Sequence, residues 1–403
     1  KVNLNENIIE DLELKKFKFL EEDNNIVKKN LYYNLLSPEF YLEEKNINNW
    51  ANYYTNDINY LEDTQNLLEM FKPSVNINLE EDKIIKPLEK YNKIYTNYEE
   101  IINNNNFIEN YQYIDLPFLQ KYNNDKKCMF CLSLYNLSSP LLSLLIPIIC
   151  LILPFFIIKL QGYNISLKLY FNHLKIVFSN HIIGRLFSDF KDAPFSTKIY
   201  LLLSIIFYLF QIYQNIYFCK KYFTNIKYIN DKLIELREYI NETIKSFNNY
   251  LKYSENFSSY NKFNKTIINN RIILEDYYEK LKPIKNYKLH FSKIFELGDI
   301  MKNFYILYDN NSIVESLYFS FDYNTYIQNI IEIQKLIKSK KINKFNFIKN
   351  EKNKNTKFTN AYYCNLIDDQ NNKIVKNSYN LNNNLILTGP TAAGKTTLLK
   401  TTL

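Results

Sequence analysis

The chain has 403 residues, of which 46% are hydrophobic and 23% charged, so it can bury a core and is not disordered as a whole. Its five glycines and ten prolines exclude a collagen-like or glycine/proline-rich chain. The net charge of +8 is compatible with nucleic acid or an anionic membrane, and five scattered cysteines favour a reducing compartment over a disulfide framework.

The N-terminal residues 1–112 are predicted to form a helical core segment. Apolar residues recur at helical spacing between Glu39 and Phe71, and Pro73 ends that pattern. The stripe includes Trp50, and we interpret it as core packing.

Residues 113–222 contain the most hydrophobic part of the chain. From Leu141 to Ile158 no charged residue occurs over 18 positions. A helix needs roughly 20 apolar residues to cross about 30 Å of hydrocarbon. A second, weaker apolar run extends from Ile199 to Cys219. We therefore predict a hydrophobic helical hairpin at 137–158 and 198–218 and interpret it as a two-pass membrane region. The alternative is a buried helical pair in a soluble, cytoplasmic protein.

Residues 223–355 predict a helical arm or core with a basic linker. A near-heptad apolar seam runs from Ile226 to Leu251, and joined to the preceding segment it predicts one helix of roughly 50 residues, or about 75 Å. A return helix is expected from Lys262 to Leu281, before Pro283, followed by two more helical stretches. An antiparallel arm fits this pattern, and so does an ordinary helical bundle.

A lysine-rich segment closes this region. We interpret it as a solvated linker, with contact to nucleic-acid phosphate as the alternative. Its lysines are Lys335, Lys338, Lys340, Lys341, Lys344, Lys349, Lys352, Lys354 and Lys357.

Residues 356–403 change character, and a domain boundary is placed near residue 356. Short β-like runs are predicted at Ala361 to Leu366, Lys373 to Val375 and Leu385 to Thr388. The last run leads into G-x-x-x-x-G-K-T, which is the P-loop pattern in its expected context between an apolar strand and a helix. Two of the five glycines in the chain occupy the two glycine positions of this motif.

The P-loop pattern predicts a phosphate-binding site for ATP. Glycines at its two ends permit backbone angles and close approach that a Cβ would block, while successive N–H groups and the helix N-terminus attract phosphate. Lys395 is expected to reach the β- and γ-phosphates, and the Thr396 hydroxyl is expected to bind Mg²⁺, so these two residues are the catalytic candidates. The predicted nucleotide-binding residues are Gly389, Pro390, Thr391, Ala392, Ala393, Gly394, Lys395, Thr396 and Thr397.

A second motif is weaker. Cys128 and Cys131 have zinc-knuckle spacing, but no second Cys or His pair lies at a suitable distance, and His173 and His181 follow in another segment. We therefore do not assign a metal site to these cysteines.

The P-loop and its surroundings resemble the MutS family of DNA mismatch-repair ATPases. The stretch Ile386-Leu-Thr-Gly-Pro-Thr-Ala-Ala-Gly-Lys-Thr396 is similar to the family's I-x-T-G-P-N-x-x-G-K-S/T. Before it, Tyr363 to Ile367 and Ile374 to Asn377 follow the order of the family's strand-rich lead-in, and Asn25 to Pro38 is faintly similar to the start of its core. Thr391 stands where the family usually has Asn, and the hydrophobic pair is similar to an insertion in divergent membrane-associated or viral members.

The resemblance implies a mainly α fold with a long helical core, followed by the start of a P-loop α/β ATPase domain. It implies an ATPase that couples ATP binding and hydrolysis to DNA binding, in mismatch repair or recombination, and that forms homo- or hetero-dimers through the ATPase domain. The sequence is interpreted as a fragment that ends just after the motif, so hydrolysis is expected only of the full-length protein. A membrane location with the ATPase domain in the cytoplasm is expected. The alternatives are a fragment of an ATP-binding-cassette transporter and a membrane-anchored nucleotide-binding scaffold.

Overall fold

The computed structural model describes residues 1–14, 30–73, 85–162, 166–180, 194–287, 291–348, 356–366, 374–382 and 384–402. The described chain is mainly helical, as the sequence predicted. The helices are α1 (Glu6–Asp11), α2 (Leu31–Leu36), α3 (Tyr41–Trp50), α4 (Ile58–Met70), α5 (Ile85–Ile102), α6 (Phe107–Asn110), α7 (Lys126–Leu160), α8 (Leu167–Asn180), α9 (Phe195–Ser254), α10 (Asn261–Leu281), α11 (Phe291–Ile294), α12 (Leu297–Asp309), α13 (Asn311–Lys338) and α14 (Lys395–Thr402).

The described strands form two small antiparallel sheets. They are β1 (Val2–Asn3) paired with β2 (Tyr53–Tyr54), and β3 (Lys357–Ala361) paired with β4 (Asn377–Asn380). Short 3₁₀ helices occur at Gln120–Asn124, Ser258–Tyr260 and Cys364–Leu366.

The chain divides into two compact units, each built from separated stretches of sequence. The first comprises Lys1–Glu100, Arg237–Glu279 and Asn310–Leu403, and the second comprises Ile101–Leu236 and Lys280–Asp309. The four consecutive segments proposed from the sequence stay a prediction about domains.

The first unit is a helical bundle whose core is rich in aromatic side chains. The rings of Tyr239 and Phe321 stack at 4.8 Å, and those of Phe247 and Tyr323 meet edge to face at 4.5 Å. Ile267 and Leu274 of α10 are fully buried. The helices of this unit therefore pack around an aromatic core, and the helical arm or core predicted for residues 223–355 stays a prediction.

Helix α9 contributes buried apolar side chains along much of its length, because its apolar residues follow a seam on one face. The seam residues Ile229, Leu233, Ile240 and Phe247 are each almost completely buried, whereas Ile244 is only half-buried. The predicted long helix is present, and its 60 residues extend over about 90 Å.

The second unit brings α7 and α9 together as an antiparallel pair. The hydroxyls of Ser133 and Tyr222 are 2.7 Å apart, and the Cys219 thiol donates to the carbonyl of Leu137 at 3.3 Å. In these two contacts the residue number rises along α7 while it falls along α9. The two helices therefore run in opposite directions. The hydrophobic hairpin predicted at 137–158 and 198–218 stays a prediction.

In the same unit, α7 and α12 pack closely against each other. A Cβ added at Gly298 would lie 2.4 Å from the carbonyl oxygen of Lys126, so this position has no room for a side chain. Phe107 is completely buried against the parallel ring of Tyr308, with centroids 4.1 Å apart. The hydroxyl of Tyr113 donates to the carbonyl of Met301 at 2.7 Å.

Beyond these contacts the apolar parts of α7 and α9 leave large side chains exposed. Leu141 is 61% exposed and Leu160 is 87% exposed on α7, and Phe207 is 70% exposed on α9. Two described helices, containing Lys126–Leu145 and Lys198–Ser254, are long and apolar enough to cross a membrane, by length and composition alone.

The β-like runs predicted before the P-loop are corrected in part. The strands lie at Lys357–Ala361 and Asn377–Asn380, and Cys364–Leu366 is a 3₁₀ helix. Leu385 to Thr388 is not a strand; Ile386 is 85% exposed. A strand needs at least one neighbouring strand to pair its backbone N–H and C=O groups, and the described strands of this region form only the β3–β4 pair. The start of a P-loop α/β domain is therefore not present as a sheet in the described chain.

Some residues of the predicted segments fall outside the described residues. They are residues 25–29 of the segment from Asn25 to Pro38, Ile367, Lys373, His181, and Lys349, Lys352 and Lys354 of the basic run.

Candidate functional site

The P-loop motif folds as a turn that leads directly into helix α14. Thr391 to Gly394 form the turn, whose Ala393 N–H donates to the carbonyl of Pro390 at 3.3 Å. Gly394 has φ of +82° and Ala392 has φ of 65°, both in the left-handed region. Glycine adopts this conformation without the Cβ penalty that other residues meet, so Gly394 suits the last turn position before the helix.

The two glycines of the motif differ in their surroundings. Among the described residues, a Cβ added at Gly389 would meet the Cβ of Ala393 at 3.5 Å, which is ordinary van der Waals contact. The left-handed φ of Gly394 gives a backbone reason for glycine at that position, and the close approach of phosphate predicted for Gly389 stays a prediction.

The Lys395 side chain folds back across the loop. Its Nζ donates to the carbonyl of Gly389 at 2.6 Å and to that of Pro390 at 2.7 Å. The two carbonyls hold the ammonium beside the turn without neutralising its charge. A cation is thus already present where an anion entering the loop would arrive.

The first turn of α14 presents backbone donors next to this cation. Leu398 N–H donates to the carbonyl of Gly394 at 3.0 Å. In any α-helix the first N–H groups have no acceptor within the helix, and they carry the positive end of the helix dipole. Gly389, Pro390, Thr391, Ala392, Ala393 and Gly394 are all exposed, as is Thr396, so side chains do not cover the loop.

The exposed Thr396 hydroxyl lies one residue after Lys395 on the first turn of the helix. A Mg²⁺ ion keeps most of its ligands as water or phosphate oxygen and takes few from the protein, so one hydroxyl at this position fits such an ion. Thr397 is half-buried and is the last residue of the predicted set. The structure places the whole set in the turn, in the residues just before it and in the start of α14.

Helix α14 is tied to the N-terminal segment by contacts that sequence reasoning missed. Lys400 donates to a carboxylate oxygen of Glu13 at 2.9 Å. The same carboxylate accepts from the Tyr363 hydroxyl at 3.2 Å and from the Asn365 amide at 3.1 Å. Two residues further along the helix, at its C-terminal end, the hydroxyls of Tyr379 and Thr402 are 2.8 Å apart. No sequence signal could have found Glu13, since it lies 387 residues from Lys400.

Burial, with the neighbouring Glu13 carboxylate as a smaller cause, raises the pKa of the Tyr363 hydroxyl to about 12. The tyrosine therefore stays protonated and keeps donating to Glu13 at neutral pH. The neutral Tyr363 hydroxyl and the Lys400 ammonium therefore both donate hydrogen bonds to the Glu13 carboxylate.

The other candidate residues lie on other elements of the chain. Cys128 and Cys131 lie on the first turns of α7, and among the described residues no group of three or more His, Cys, Asp or Glu side chains could hold a metal ion. The described lysines of the basic run lie at the end of α13 and in the segment after it, with Lys357 on β3.

Comparisons with known proteins add no assignment. No family model, curated protein or solved structure matches the chain, so the comparisons place it in no family.

Proposed function

We propose that this chain is the nucleotide-binding part of a MutS-like ATPase, and that it binds the triphosphate of ATP at the loop formed by residues 389–397. The observation that carries the proposal is the Lys395 ammonium, held across the exposed turn by the carbonyls of Gly389 and Pro390. The motif and its resemblance to the MutS family support the choice of ATP over a smaller anion.

In this proposal the backbone N–H groups, the Lys395 side chain and the Thr396 hydroxyl each bind a different part of the Mg-triphosphate. Backbone N–H groups of the turn and of the first helical turn donate to phosphate oxygens, and the helix dipole adds to the attraction. Lys395 exchanges its two carbonyl acceptors for phosphate oxygens as a point charge. Thr396 supplies one oxygen to Mg²⁺, which neutralises phosphate charge when bound.

Hydrolysis of the bound ATP is proposed on the resemblance to the MutS family. Phosphoryl transfer needs a carboxylate that holds the metal and a group that orients the attacking water, and in MutS-like proteins these come after the P-loop in sequence. DNA binding and dimerisation through the ATPase domain are proposed on the same resemblance. In such a dimer, ATP would favour association through contacts present only in the closed state.

The exposed apolar surfaces of α7 and α9 support a membrane location for this protein. Leu153, Phe156, Ile206 and Phe210 are each 53% to 60% exposed, and a contiguous surface of this kind is stable when lipid or a partner covers it. The antiparallel register of the two helices fits a two-pass hairpin. Recovery of the full-length protein in the soluble phase without detergent would contradict the membrane assignment.

The two described candidate spans weigh against the transporter alternative. An ATP-binding-cassette exporter uses several more spans than a single hairpin, whereas an inserted hairpin is compatible with a MutS-like core. A nucleotide-binding scaffold would bind ATP equally well but would show no turnover in the full-length protein.

The proposal is tested through the Thr396 hydroxyl, using the full chain in detergent micelles and a fluorescent ATP analogue. Thr396→Ala should remove most of the increase in affinity that Mg²⁺ gives, whereas Thr396→Ser keeps a hydroxyl and should retain it. Binding of Mg-ATP that is the same in both variants would argue against a metal role for Thr396.

A further inference from the structure

A groove in the first unit lies beside helix α14 and is separate from the phosphate loop. It has a volume of about 1350 Å³ and is lined by the segment 341–348, by strand β3 with the residues that follow it, by the start of α4 and by Thr401. Small-molecule sites usually enclose roughly 300–1,000 Å³. The groove is therefore larger and more open than a mononucleotide needs.

The lining of this basic groove combines three kinds of side chain. Lysines are Lys341, Lys344 and Lys357; aromatic residues are Phe345, Phe347, Phe358 and Tyr362; and amides are Asn56, Asn59, Asn343, Asn346 and Asn360. No Asp or Glu occurs among its lining residues in the described part of the chain. Cations match phosphates, aromatic faces match bases, and amides match base edges.

The aromatic residues are available for stacking. Phe345 is 51% exposed and meets Phe347 edge to face at 5.2 Å, so one ring supports the other while leaving a face open. On the opposite wall, Phe358 stacks on Tyr379 at 4.8 Å. The Tyr362 hydroxyl donates to the carbonyl of Lys341, which joins the two walls.

The charge of one groove lysine, Lys344, is only weakly compensated. Lys344 pairs with Glu69 at 3.1 Å, but the two side chains are 42% and 55% exposed. Such exposed pairs contribute little and can be replaced by a phosphate. Lys357 is exposed on β3.

We propose that the basic groove binds single-stranded nucleic acid, with bases on Phe345 and Phe347 and phosphates on Lys341, Lys344 and Lys357. The inference deepens the proposed function, and rests on it in so far as that function includes DNA. An extended, unpaired strand is favoured over a duplex because stacking on an exposed ring requires a base that is not already stacked and paired on both sides.

The test measures binding of a fluorescent oligo(dT) of about 15 nucleotides, which lies within common single-strand site sizes. The full chain is used in detergent micelles, at several salt concentrations, beside a duplex of equal length. Phe345→Ala should weaken binding by about 5-fold or more. Lys357→Gln should lower the slope of log affinity against log salt by roughly 0.7.

Matched variants report on exposed residues outside the groove. Phe118→Ala removes an aromatic side chain that is 71% exposed, and Lys93→Gln removes an exposed lysine of α5; both should bind the oligonucleotide as the wild type does. Equal affinity of the wild type, Phe345→Ala and Lys357→Gln would overturn the inference, and so would tighter binding of the duplex.

The two proposals fail separately in this experiment. Lys395→Ala should lose ATP binding and keep oligonucleotide binding, whereas the groove variants should show the reverse. A wild-type chain that binds ATP but not the oligonucleotide would contradict the groove and leave the phosphate loop intact.

Discussion

Lys400 and Glu13 form an ion pair at 2.9 Å across 387 residues of sequence. Their side chains are only 21% and 24% exposed, and Glu13 adopts φ of 55°, an uncommon backbone conformation for this residue type. The carboxylate thereby faces Lys400, Tyr363 and Asn365 at once. It connects the helix after the phosphate loop to the N-terminal segment of the same unit.

Breaking this pair should destabilise the first unit. Lys400→Met should lower the free energy of unfolding by about 1 kcal/mol, and Glu13→Gln by about 2 kcal/mol because Glu13 accepts from two further donors. Denaturant unfolding in detergent measures both. Lys344→Met is the matched control, since its more exposed pair with Glu69 should contribute less than about 0.5 kcal/mol. Equal losses for Lys400→Met and Lys344→Met would show that the partial burial of the first pair has no energetic consequence.

Removing the hydroxyl from each of two buried tyrosines should change the free energy of unfolding in different ways. Tyr239 is fully buried, and its hydroxyl meets Ser320 at 2.9 Å and Asn324 at 3.0 Å. Tyr239→Phe leaves those partners unsatisfied and should cost about 1–3 kcal/mol of unfolding free energy. The hydroxyl of Tyr98 is buried and has no hydrogen-bond partner among the described residues, so Tyr98→Phe should be neutral or stabilising. A larger loss from Tyr98→Phe than from Tyr239→Phe, measured by the same unfolding experiment, would contradict these hydrogen-bond assignments.

Stability should fall at alkaline pH. Burial, with smaller contributions from nearby Glu13 and Glu99, raises the pKa values of Tyr363 and Tyr318 to about 12 each. A tyrosine in the unfolded chain has a pKa of about 10. Between these values the unfolded chain releases protons that the folded chain retains, so the contribution is complete below about pH 10 and is lost as the pH rises through about 12.

Unfolding free energy measured from neutral to alkaline pH tests this assignment. Tyr363→Phe removes one raised group and should make the alkaline decline shallower than in the wild type. An identical pH profile in the variant would contradict the raised pKa of Tyr363.

Local patterns in the sequence predicted local structure well. The seam from Ile226 to Leu251 predicted a long helix because its spacing depends only on neighbouring turns, and Pro283 follows the end of α10 as expected. The turn that ends at Gly394 and the helix that begins at Lys395 lie where the contiguous motif predicted a turn and a helix, and nucleotide binding there stays a prediction. The strand at Leu385 to Thr388 was predicted wrongly, since an apolar run becomes a strand only when other strands supply its hydrogen-bond partners.

Contacts between distant residues were not predictable in this way. Neither the Lys400–Glu13 pair nor the walls of the basic groove leaves a periodic trace, and the lysine run was interpreted as a solvated linker. Its residues 341–348 instead line a groove with β3. Bundle and arm were indistinguishable in sequence because both bury the same helical stripe.

The most direct test of the account is the affinity of the full chain for Mg-ATP in detergent, measured for the wild type and for Lys395→Ala. Lys93→Gln serves as a control for loss of an exposed lysine elsewhere in the same unit. The account predicts saturable binding by the wild type and by Lys93→Gln, and a loss of at least about tenfold in affinity in Lys395→Ala, corresponding to about 1.4 kcal/mol. Equal affinity of Lys395→Ala and the wild type, with both proteins folded, would contradict the assignment of the loop as a nucleotide site.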